Sequence, residues 1–539
     1  MKHLEQQHVL VLGLGLSGLA LARWCVRCGA QVTVADTRPA PPQLQALRDT
    51  VPSARFVHGD MVADLLAGPG TAPPDRTKAS TAPSGGSEAW GFPIRLVLKS
   101  PGLAPSSVAG VMDAAQAQGL PCGNELSLFA QALLDLKAAQ GYAPKVIGIT
   151  GTNGKTTVTA LTGRLLARAG KSVAVAGNIG PTLLDTLAAR LDAADLPEVW
   201  VLELSSFQLD RVNNFEPSAA TVLNLSEDHL DWHGSMPAYS AAKFNIYGKQ
   251  GRMLLNRDDS AVMASLPSPV KGKPLRHYVT FGGDEPQRPG DYGIETVNGM
   301  AWLVRAAEAD ESIKKKKRPP ASLPPEEAIR APRQYDDEEV ALYLQRLMPV
   351  EALRIRGRHN ATNALAALAL AGAVGGSMAP MLHGLREYAG EPHRVASVAV
   401  VREVEYFDDS KGTNVGATVA ALTGLGAGRK LVLIAGGEGK GQDFSPLAEP
   451  VLRHARAVIL IGRDAPVLRA ALEGTGITLL DADSMQAAVG LAAHHAQPGD
   501  AVLMSPACAS FDMFDNYEHR ARVFCEAVLE LAQDAGVVS

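Results

Sequence analysis

The stretch from Gly148 to Thr157 reads GITGTNGKTT and combines three glycines, a lysine and several hydroxyl side chains. A loop of this composition presents backbone N–H groups and the N-terminus of a following helix to phosphate oxygens. Lys155 is placed to reach β- and γ-phosphate oxygens, and Thr156 to offer its hydroxyl to Mg²⁺. The stretch therefore predicts a site for a nucleoside triphosphate.

The flanking residues supply the elements that such a loop needs. The apolar run from Val146 to Ile149 predicts a buried strand, and apolar residues at helical spacing from Thr157 onward predict a helix. The common pattern G-x-x-x-x-G-K-[ST] has glycine where this chain has Ile149. The loop is therefore a variant of that pattern.

A second glycine-rich turn lies near the start of the chain, in HVLVLGLGLSGLALARWCVRCGAQVTVAD. Gly13 permits the tight turn, Gly15 lets a phosphate approach the backbone, and Gly18 allows close packing of helix on strand. Asp36 ends the second strand, about 20 residues on, where an acidic side chain contacts a ribose or base. By itself the motif predicts a nucleotide-binding half-sheet, with NAD as the default ligand.

Three further polar residues follow the phosphate loop. Glu203 ends the apolar run VWVLE, and carboxylates at such strand ends face the ligand crevice of an open α/β sheet. A carboxylate there would bind a hard cation, and the alternative is an acidic residue that caps the next turn. His229 lies in the acidic segment SEDHLD, and Lys243 lies on a predicted helix. Taken alone, Lys243 is interpreted as a solvent-exposed helix lysine.

The chain has 539 residues, which favours three domains. We predict an α/β fold with domains at 1–140, 141–390 and 391–539. Strands alternating with helices imply parallel sheets, the last domain being a second doubly wound one. The predicted strands of the second and third domains are Ser172–Ala176, Val199–Glu203, Thr221–Leu225, Lys430–Ala435, Ala457–Ile461 and Ala501–Ser505.

Two stretches interrupt this plan, at 67–93 and 308–337. The first is rich in Pro, Gly, Ser and Thr, and the second contains KKKKRPPASLPPEE. Neither buries enough apolar surface to offset the entropy of ordering the chain, so both are predicted to be exposed, mobile insertions.

Composition favours a cytoplasmic protein that binds small molecules. The net charge of -5 gives no reason to expect nucleic-acid binding. The five cysteines show no metal-like pairing beyond Cys25 and Cys28, which lie inside a predicted helix and are interpreted as ordinary thiols of a reducing compartment. The apolar run from Val9 to Ala22 imitates a signal peptide, but it is shorter than the roughly 20 residues that span a bilayer. We expect no stable membrane insertion and a monomer.

The form TGTNGKT resembles the ATP loop of the Mur ligase family, the ATP-dependent amide-forming ligases of peptidoglycan synthesis and their folate-polyglutamating relatives. Other segments occur in the order found in the D-glutamate-adding members of that family, over essentially the whole chain apart from the two insertions. These segments are ELSSFQL, DHLD, AAKFNIY, RGRHNATNALAALAL, EPHR, DDSKGTN, GGEGKGQDF and SPACASFDMF. The resemblance implies a Rossmann-like first domain that binds UDP, a central P-loop ATPase domain and a Rossmann-like last domain. It also implies addition of D-glutamate to UDP-N-acetylmuramoyl-L-alanine through an acyl phosphate.

The resemblance implies an ATP site formed by Gly151, Thr152, Asn153, Gly154, Lys155, Thr156, Thr157, Asn360, Asn363, Arg394 and Asp409. For Asn360 alone, the alternative is helix capping. Two Mg²⁺ ions are expected, with Thr156, Glu203, His229 and Lys243 as ligands and Lys243 carrying a carbamate made from CO₂. A carbamate fits because an ammonium would repel Mg²⁺, whereas the carbamylated form offers an anionic oxygen. The expected catalytic residues are Lys155, His229, Lys243 and Lys440.

For the UDP substrate the resemblance implies contacts from Leu16, Ser17, Gly18, Asp36, Thr37, Arg38, Asn178 and His229, so that UDP replaces NAD as the expected ligand. For D-glutamate it implies Lys411, Thr413, Lys440, Ser510 and Phe511. A small substrate with two carboxylates needs cations and hydroxyl or backbone donors, which this set supplies. The alternatives are surface lysines and a core phenylalanine.

Four positions depart from the commonest family form: Asp408 replaces Asn, Gly412 replaces Ala, Glu391 replaces Leu and Tyr517 replaces Phe. The Tyr517 hydroxyl could alter the D-glutamate pocket, since that position lies near the substrate in the family. Three rival functions remain open. They are a Mur-type ligase that adds L-Ala, a diamino acid or a dipeptide, a dinucleotide-binding oxidoreductase with an accessory ATPase, and a non-enzymatic ATP switch.

Overall fold

The computed structural model describes residues 4–61, 63–66, 93–269, 276–308 and 342–536. The two predicted insertions lie outside these residues apart from Pro93 and Glu308 at their edges, so their mobility stays a prediction. The chain divides into two compact units. The first comprises Met1–Thr150, Ser172–Ser218 and His229–Gly251, and the second comprises Gly151–Lys171, Ala219–Asp228 and Arg252–Ser539. The boundary falls inside the phosphate loop, and the three-domain boundaries at 140 and 390 stay predictions.

Strands and helices alternate along most of the described chain, as predicted. The strands are β1 His8–Leu12, β2 Gln31–Asp36, β3 Arg55–His58, β4 Ile94–Lys99, β5 Cys122–Gly123, β6 Lys145–Thr150, β7 Val173–Gly177, β8 Val199–Glu203, β9 Ala219–Val222, β10 Arg252–Asn256, β11 Tyr278–Phe281, β12 Tyr292–Val297, β13 Met300–Glu308, β14 Leu342–Pro349, β15 Ala396–Val401, β16 Val404–Asp408, β17 Leu431–Gly436, β18 Ala455–Ile461, β19 Thr478–Asp481 and β20 Ala501–Met504. The helices are α1 Leu16–Arg27, α2 Leu44–Thr50, α3 Pro105–Ala117, α4 Glu125–Gln140, α5 Lys155–Arg168, α6 Leu183–Asp192, α7 Ser206–Leu209, α8 Leu230–His233, α9 Met236–Phe244, α10 Ser260–Met263, α11 Arg358–Ala373, α12 Met378–Glu387, α13 Val415–Leu425, α14 Ala448–His454, α15 Ala465–Leu472, α16 Met485–His495 and α17 Tyr517–Asp534.

The first sheet of the first unit is parallel and has the strand order β3-β2-β1-β4-β5. The order reverses between β1 and β4, so the glycine turn after β1 opens at the crevice where ligands bind in such sheets. The predicted strand, turn, helix and second strand ending at Asp36 are confirmed. Cys25 lies inside α1, whereas Cys28 is the residue just after it, and neither forms a disulfide.

The first unit also contains the parallel strands β6, β8 and β7, with β8 between the other two. All five residues of β8 are buried, and Glu203 at its carboxyl end lies in register with Ile149 on β6 and Gly177 on β7. The prediction of a carboxylate at the end of a buried strand is therefore confirmed.

The second unit begins with α5 and contains strands β9 to β14 in that spatial order. Strands β9 to β12 are parallel, but β12, β13 and β14 are antiparallel, which the parallel-sheet prediction missed. Asn298 and Gly299 connect β12 to β13 with φ of 51° and 80°. Asn-Gly between apolar runs is a strong hairpin signal, so the sequence contained the information.

The predicted strand Thr221–Leu225 is displaced, because β9 ends at Val222. Beyond it the chain turns toward the phosphate loop, where the Thr152 N–H donates to the Asn224 carbonyl at 2.9 Å. Helix α5 begins two residues before the predicted start, directly after Gly154 in a left-handed conformation.

The last sheet has the order β15-β16-β20-β17-β18-β19 and is parallel except for the β15–β16 hairpin. The predicted doubly wound arrangement is confirmed, and the hairpin is an addition to it. Because β16, β20 and β17 are adjacent and parallel, the loops that follow them meet at one edge of the sheet. No helix in the described ranges is long and apolar enough to cross a membrane.

We expect Gly18→Ala to destabilise the first unit by about 3 kcal/mol, because the new Cβ would lie 1.9 Å from the Gly13 carbonyl oxygen and backbone must move. Gly15→Ala is the matched control, since a Cβ there meets no atom within 4 Å, and its cost should stay below about 1 kcal/mol. Chemical denaturation of both variants measures the difference. Equal losses of stability would show that the close approach of helix and turn is unimportant.

Candidate active site

The acidic residue of the first glycine motif is held inside the turn that follows β1. Asp36 is 2% exposed, and its carboxylate accepts hydrogen bonds from the Leu14 N–H at 2.7 Å and from Arg38 Nε at 2.9 Å. Burial alone would raise the pKa of Asp36, but the hydrogen bonds from Arg38 and Leu14 outweigh it and lower the pKa to about 2. Asp36 is therefore an ionised acceptor that fixes the position of the glycine turn.

Five of the other residues predicted for the UDP substrate lie at the carboxyl ends of β1 and β2, where Leu16, Ser17 and Gly18 begin α1 and Thr37 and Arg38 follow Asp36. The remaining two lie elsewhere in the first unit, with Asn178 after β7 and His229 at the start of α8. Leu16 is 68% exposed although it is apolar, and Thr37 and Arg38 are exposed too. The structure therefore brings the predicted uracil and diphosphate contacts to one crevice of the first sheet.

Sequence reasoning missed Glu125, the first residue of α4. It is 1% exposed, accepts a hydrogen bond from the Leu184 N–H at 3.1 Å, and is hydrogen-bonded by the Ser17 side chain. Burial raises the pKa of Glu125 to about 7. The signal available was an acidic residue in the first turn of a helix, which by itself indicates only a favourable interaction with the helix N-terminus.

Glu203 is a buried carboxylate with unequal oxygens. Its Oε1 accepts a hydrogen bond from Asn178 Nδ2 at 2.8 Å. Its Oε2 is buried and has no hydrogen-bond partner within the described part of the chain. Such an unsatisfied anionic oxygen fits a divalent cation, which is the role predicted for it. The alternative of a turn cap is wrong, because Ser205 caps α7.

Lys243 is 2% exposed, so the interpretation as a solvent-exposed lysine is wrong. Its Nζ lies 3.4 Å from Thr150 Oγ1 and 4.6 Å from the centroid of the Tyr239 ring. His229 lies at the start of α8 with φ of 54°, and its ring centroid is 4.7 Å from that of Phe207. Across the ranges that the structure describes, no group of three or more His, Cys, Asp or Glu side chains is arranged to hold a metal.

Another opening in the first unit, a cavity of about 900 Å³, contains none of the predicted site residues in its lining. It lies beside β4, α3 and α4, and Lys99, Cys122 and Phe207 are among its lining residues. Since Phe207 also contacts His229, one wall of this cavity supports the predicted substrate histidine.

In the second unit, Lys155 is folded back over the phosphate loop. Its Nζ donates to the Gly151 carbonyl at 2.9 Å and to the Thr152 carbonyl at 2.8 Å. Thr156 Oγ1 accepts a hydrogen bond from the Arg394 guanidinium at 2.6 Å. The loop lysine and hydroxyl thus converge at the N-terminus of α5, together with an arginine that was predicted to serve the ATP end.

Two asparagines that were not predicted as site residues hold the loop. The Asn153 N–H donates to Asn224 Oδ1 at 2.8 Å, and the Asn153 and Asn414 side-chain amides exchange hydrogen bonds of 3.1 and 3.2 Å. Asn414 ends the segment DDSKGTN that carried the family resemblance, and Asn224 lies four residues before the segment DHLD. Their types alone do not distinguish them from turn residues.

A cavity of about 110 Å³ gathers several of the predicted adenine and ribose contacts, including Asn360, Asn363, Arg394 and Asp409. This volume is below the roughly 300 Å³ of a typical ligand pocket, so it fits one ring system rather than a whole nucleotide. Asn360 lies inside α11, whose N-cap is Gly357, so the capping alternative is wrong. Asn360 Oδ1 instead accepts from Asn363 Nδ2 at 3.2 Å.

Asp409 is buried and lines this cavity. Burial raises the pKa of Asp409 to about 7, although a hydrogen bond from Ser505 Oγ at 2.7 Å and the charge of Arg394 oppose the shift. Its neighbour Asp408 pairs with His393, whose Nδ1 lies 2.6 Å from Asp408 Oδ2. Asp408, which replaces the asparagine of the commonest family form, therefore lies in contact with the ionisable side chain of His393.

The predicted D-glutamate residues lie on the loops after β16, β17 and β20. Lys411 Nζ lies 3.6 Å from the centroid of the Tyr517 ring, and Lys440 Nζ lies 5.9 Å from that of Phe511. Phe511 is 67% exposed, so the alternative of a core phenylalanine is wrong, whereas Ser510 is buried. Two cations therefore stand on aromatic faces at one sheet edge, an arrangement suited to a ligand with two carboxylates.

Comparison with family models matches three segments of the chain. Residues 7–69 match the Mur ligase MurD-like N-terminal domain, residues 149–300 the Mur ligase middle domain, and residues 393–508 the Mur ligase glutamate ligase domain. Together they contain the predicted site residues other than Asn360, Asn363, Ser510 and Phe511.

Curated relatives match over nearly the full length. The UDP-N-acetylmuramoylalanine–D-glutamate ligase of Albidiferax ferrireducens is 61% identical over 99% of this chain and 98% of its own. The enzymes of the same name from Polaromonas sp. and Ralstonia nicotianae are 55% and 54% identical, over 100% and 99% of both chains.

Two solved structures from Thermotoga maritima share the fold. UDP-N-acetylmuramate-alanine ligase MurC has a TM-score of 0.50 at 18% identity, covering 98% of this chain and 100% of its own. MurF ligase in complex with ADP has a TM-score of 0.52 at 15% identity, covering 98% and 95%. With relatives this similar over this length, the chain belongs to the Mur ligase family, in the group of the UDP-N-acetylmuramoylalanine–D-glutamate ligases.

Proposed function

We propose that this protein is an ATP-dependent ligase that joins D-glutamate to UDP-N-acetylmuramoyl-L-alanine and releases ADP and phosphate. The convergence of Lys411, Lys440 and Ser510 on the loops after three adjacent parallel strands carries the D-glutamate part of this proposal. The names of relatives at 54% to 61% identity support both substrates. A dinucleotide-binding oxidoreductase receives no such support.

In the first step, the alanyl carboxylate of the UDP substrate attacks the γ-phosphorus of ATP, and the bond to the β,γ-bridging oxygen breaks. This forms an acyl phosphate and ADP, and it turns a poor leaving group into a good one. The chain's part is to hold and neutralise charge rather than to form covalent bonds. Lys155 would move from the loop carbonyls to the β- and γ-phosphate oxygens, since phosphate is a stronger acceptor for an ammonium.

The residues present on the first unit fit a divalent cation. Glu203 offers a buried anionic oxygen without a partner within the described ranges, and His229 and a carbamylated Lys243 would be further ligands on the first unit. Thr156 stays the predicted hydroxyl ligand on the second unit. When bound, Mg²⁺ neutralises the charge that develops on the transferred phosphoryl group.

In the second step, the amine of D-glutamate attacks the acyl carbon. The tetrahedral oxyanion collapses to the amide as phosphate leaves, and the ammonium proton passes to solvent or to the departing phosphate. Lys411 and Lys440 would bind the two carboxylates of D-glutamate, and the buried Ser510 would add a hydroxyl donor. Lys440 would also stabilise the oxyanion.

The assay that tests the proposal measures phosphate release from ATP with UDP-N-acetylmuramoyl-L-alanine and one amino acid at a time. We expect turnover with D-glutamate and about a hundredfold less with L-glutamate, L-alanine or diaminopimelate, because two cations and a hydroxyl fix the stereocentre. Phosphate release that does not depend on D-glutamate would refute the assignment. Tight binding of NAD(H) without binding of the UDP-sugar would favour the oxidoreductase instead.

Lys243→Ala should lower turnover at least about a hundredfold, and bicarbonate-rich medium should not restore it, because the amine that takes up CO₂ is gone. Protein equilibrated with ¹³C-bicarbonate should show a carbamate carbon resonance that the variant lacks. The exposed Lys249→Ala serves as a control and should keep both the resonance and the activity. Full activity of Lys243→Ala would exclude the carbamate.

The raised pKa of Asp409 predicts how stability depends on pH. In the unfolded chain this carboxyl ionises near pH 3.9, but in the folded protein it holds its proton up to about pH 7. Between these values the unfolded state binds fewer protons, so Asp409 lowers the free energy of unfolding by up to about 1.4 kcal/mol per pH unit as pH rises. Above pH 7 the effect is constant.

Without nucleotide, Asp409→Asn should therefore gain melting temperature over the wild type as pH rises from 4 to 7, with no further gain above. The exposed Asp483→Asn, in the same unit, is the control and should show no such trend. A difference between Asp409→Asn and wild type that does not vary with pH would contradict the raised pKa.

A further inference from the structure

Three loops form the proposed D-glutamate pocket, and backbone hydrogen bonds join one of them to each of the other two. The 409–413 loop follows β16, the 437–442 loop follows β17, and the 505–511 loop follows β20. The Ala507 N–H donates to the Gly412 carbonyl at 3.0 Å, and Glu438 and Ala509 exchange backbone hydrogen bonds of 2.9 and 3.0 Å. The positions of the ligand-binding side chains thus depend on how the 505–511 loop is held.

One side chain from outside the pocket connects two of these loops. Arg520 lies on α17 and is 1% exposed. Its Nε donates to Ser410 Oγ at 3.0 Å, one terminal nitrogen donates to the Ser410 carbonyl at 2.8 Å, and the other donates to the Cys508 carbonyl at 3.1 Å. The acceptors are the residue before Lys411 and the residue two before Ser510.

A guanidinium suits this position for geometric reasons. Its rigid fork directs donors along three edges of one plane, so a single group can satisfy acceptors on two separate loops. Ser410 Oγ in turn donates to the Tyr517 carbonyl at 2.8 Å, which brings the start of α17 into the same network. Tyr517 is the residue whose ring contacts Lys411.

Burying a cation costs desolvation free energy. Here backbone and hydroxyl acceptors offset that cost, and no carboxylate of the described residues accepts a hydrogen bond from the guanidinium. Burial lowers the pKa of Arg520 to about 10, while the negative charges of Asp512, Asp408 and Asp409 oppose the shift. An apolar side chain would fill the space without that cost. What the guanidinium supplies here is the set of hydrogen bonds to both loops, which an apolar side chain could not make.

We propose that Arg520 is a positioning residue that holds the Lys411 and Ser510 loops in the arrangement that binds D-glutamate. It acts through the backbone of those loops and does not touch the substrate. This inference rests on the proposed function, because it presumes that these loops receive D-glutamate.

The test compares three variants of the full chain. Arg520→Lys keeps the charge but cannot direct three donors in one plane. Ser410→Ala removes one of the three acceptors and leaves both carbonyl contacts. Arg522→Ala is the matched control, since Arg522 lies two residues along α17, is 63% exposed and pairs only loosely with Glu526 at 4.0 Å.

Two reactions separate positioning from general damage. The complete reaction gives KM for each substrate, and hydroxylamine in place of D-glutamate traps the acyl phosphate as a hydroxamate without using the D-glutamate pocket. For Arg520→Lys we expect KM for D-glutamate to rise about tenfold or more, with KM for the UDP substrate and the rate of hydroxamate formation at saturating ATP within about twofold of wild type. Ser410→Ala should raise KM for D-glutamate about threefold, and Arg522→Ala should change nothing.

Equal loss of hydroxamate formation and of D-glutamate turnover, or an unchanged KM for D-glutamate in Arg520→Lys, would overturn the proposal. If Arg520→Lys does not fold by circular dichroism, Ser410→Ala decides: a raised KM for D-glutamate supports the proposal and an unchanged one refutes it. A wild-type enzyme that makes hydroxamate but ignores D-glutamate would instead refute the proposed function.

Discussion

Parallel strands position the predicted site residues of this protein, because the carboxyl ends of the parallel strands in a sheet all lie at one edge. Asp36 ends β2 and Glu203 ends β8, and Asp409 directly follows β16. At each of these edges the loops supply backbone N–H groups and side chains to whatever binds there. Residues far apart in sequence, such as those after β16, β17 and β20, become neighbours only because their strands are adjacent. The sites therefore depend on correct strand order more than on any single contact.

The buried acids at these edges differ in how far hydrogen bonds within the protein stabilise their carboxylates. Asp36 is satisfied within the protein, since Leu14 and Arg38 supply hydrogen bonds and lower its pKa to about 2. Asp409 accepts a hydrogen bond from Ser505, but burial outweighs it and raises the pKa of Asp409 to about 7. Glu203 keeps one buried oxygen without a partner in the described ranges. The number of hydrogen bonds to each carboxylate thus distinguishes Asp36, which shapes a turn, from Glu203, which is suited to bind a cation. In the sequence all three are simply acids at strand ends.

Local patterns were enough to predict the glycine turns, the buried strands and the doubly wound last sheet. Patterns of that kind depend on contacts between residues close in sequence, so a single sequence is enough to reveal them. The β12–β14 extension was missed because the prediction rested on strands alternating with helices, whereas the Asn-Gly turn at Asn298 indicates two consecutive strands. Burial of Lys243 and the network around Arg520 could not be predicted, because both depend on tertiary packing between distant segments. A lysine on a short helix and an arginine on a long one look like surface residues until the neighbouring elements are placed.

The tyrosine at position 517 departs from the family pattern but keeps the ring face that Lys411 contacts. Lys411 contacts the face of the ring, and that face is present in tyrosine and phenylalanine alike. The hydroxyl would harm a pocket for a dicarboxylate if it ionised, since a phenolate would repel both carboxylates and would compete for the lysine. An ordinary tyrosine, with a pKa near 10, is already neutral at physiological pH. Burial raises the pKa of Tyr517 further, to about 12, so the hydroxyl does not ionise in the working range. What the substitution adds is therefore a neutral group at the edge of the pocket, while the attraction between ring and ammonium that holds Lys411 is retained.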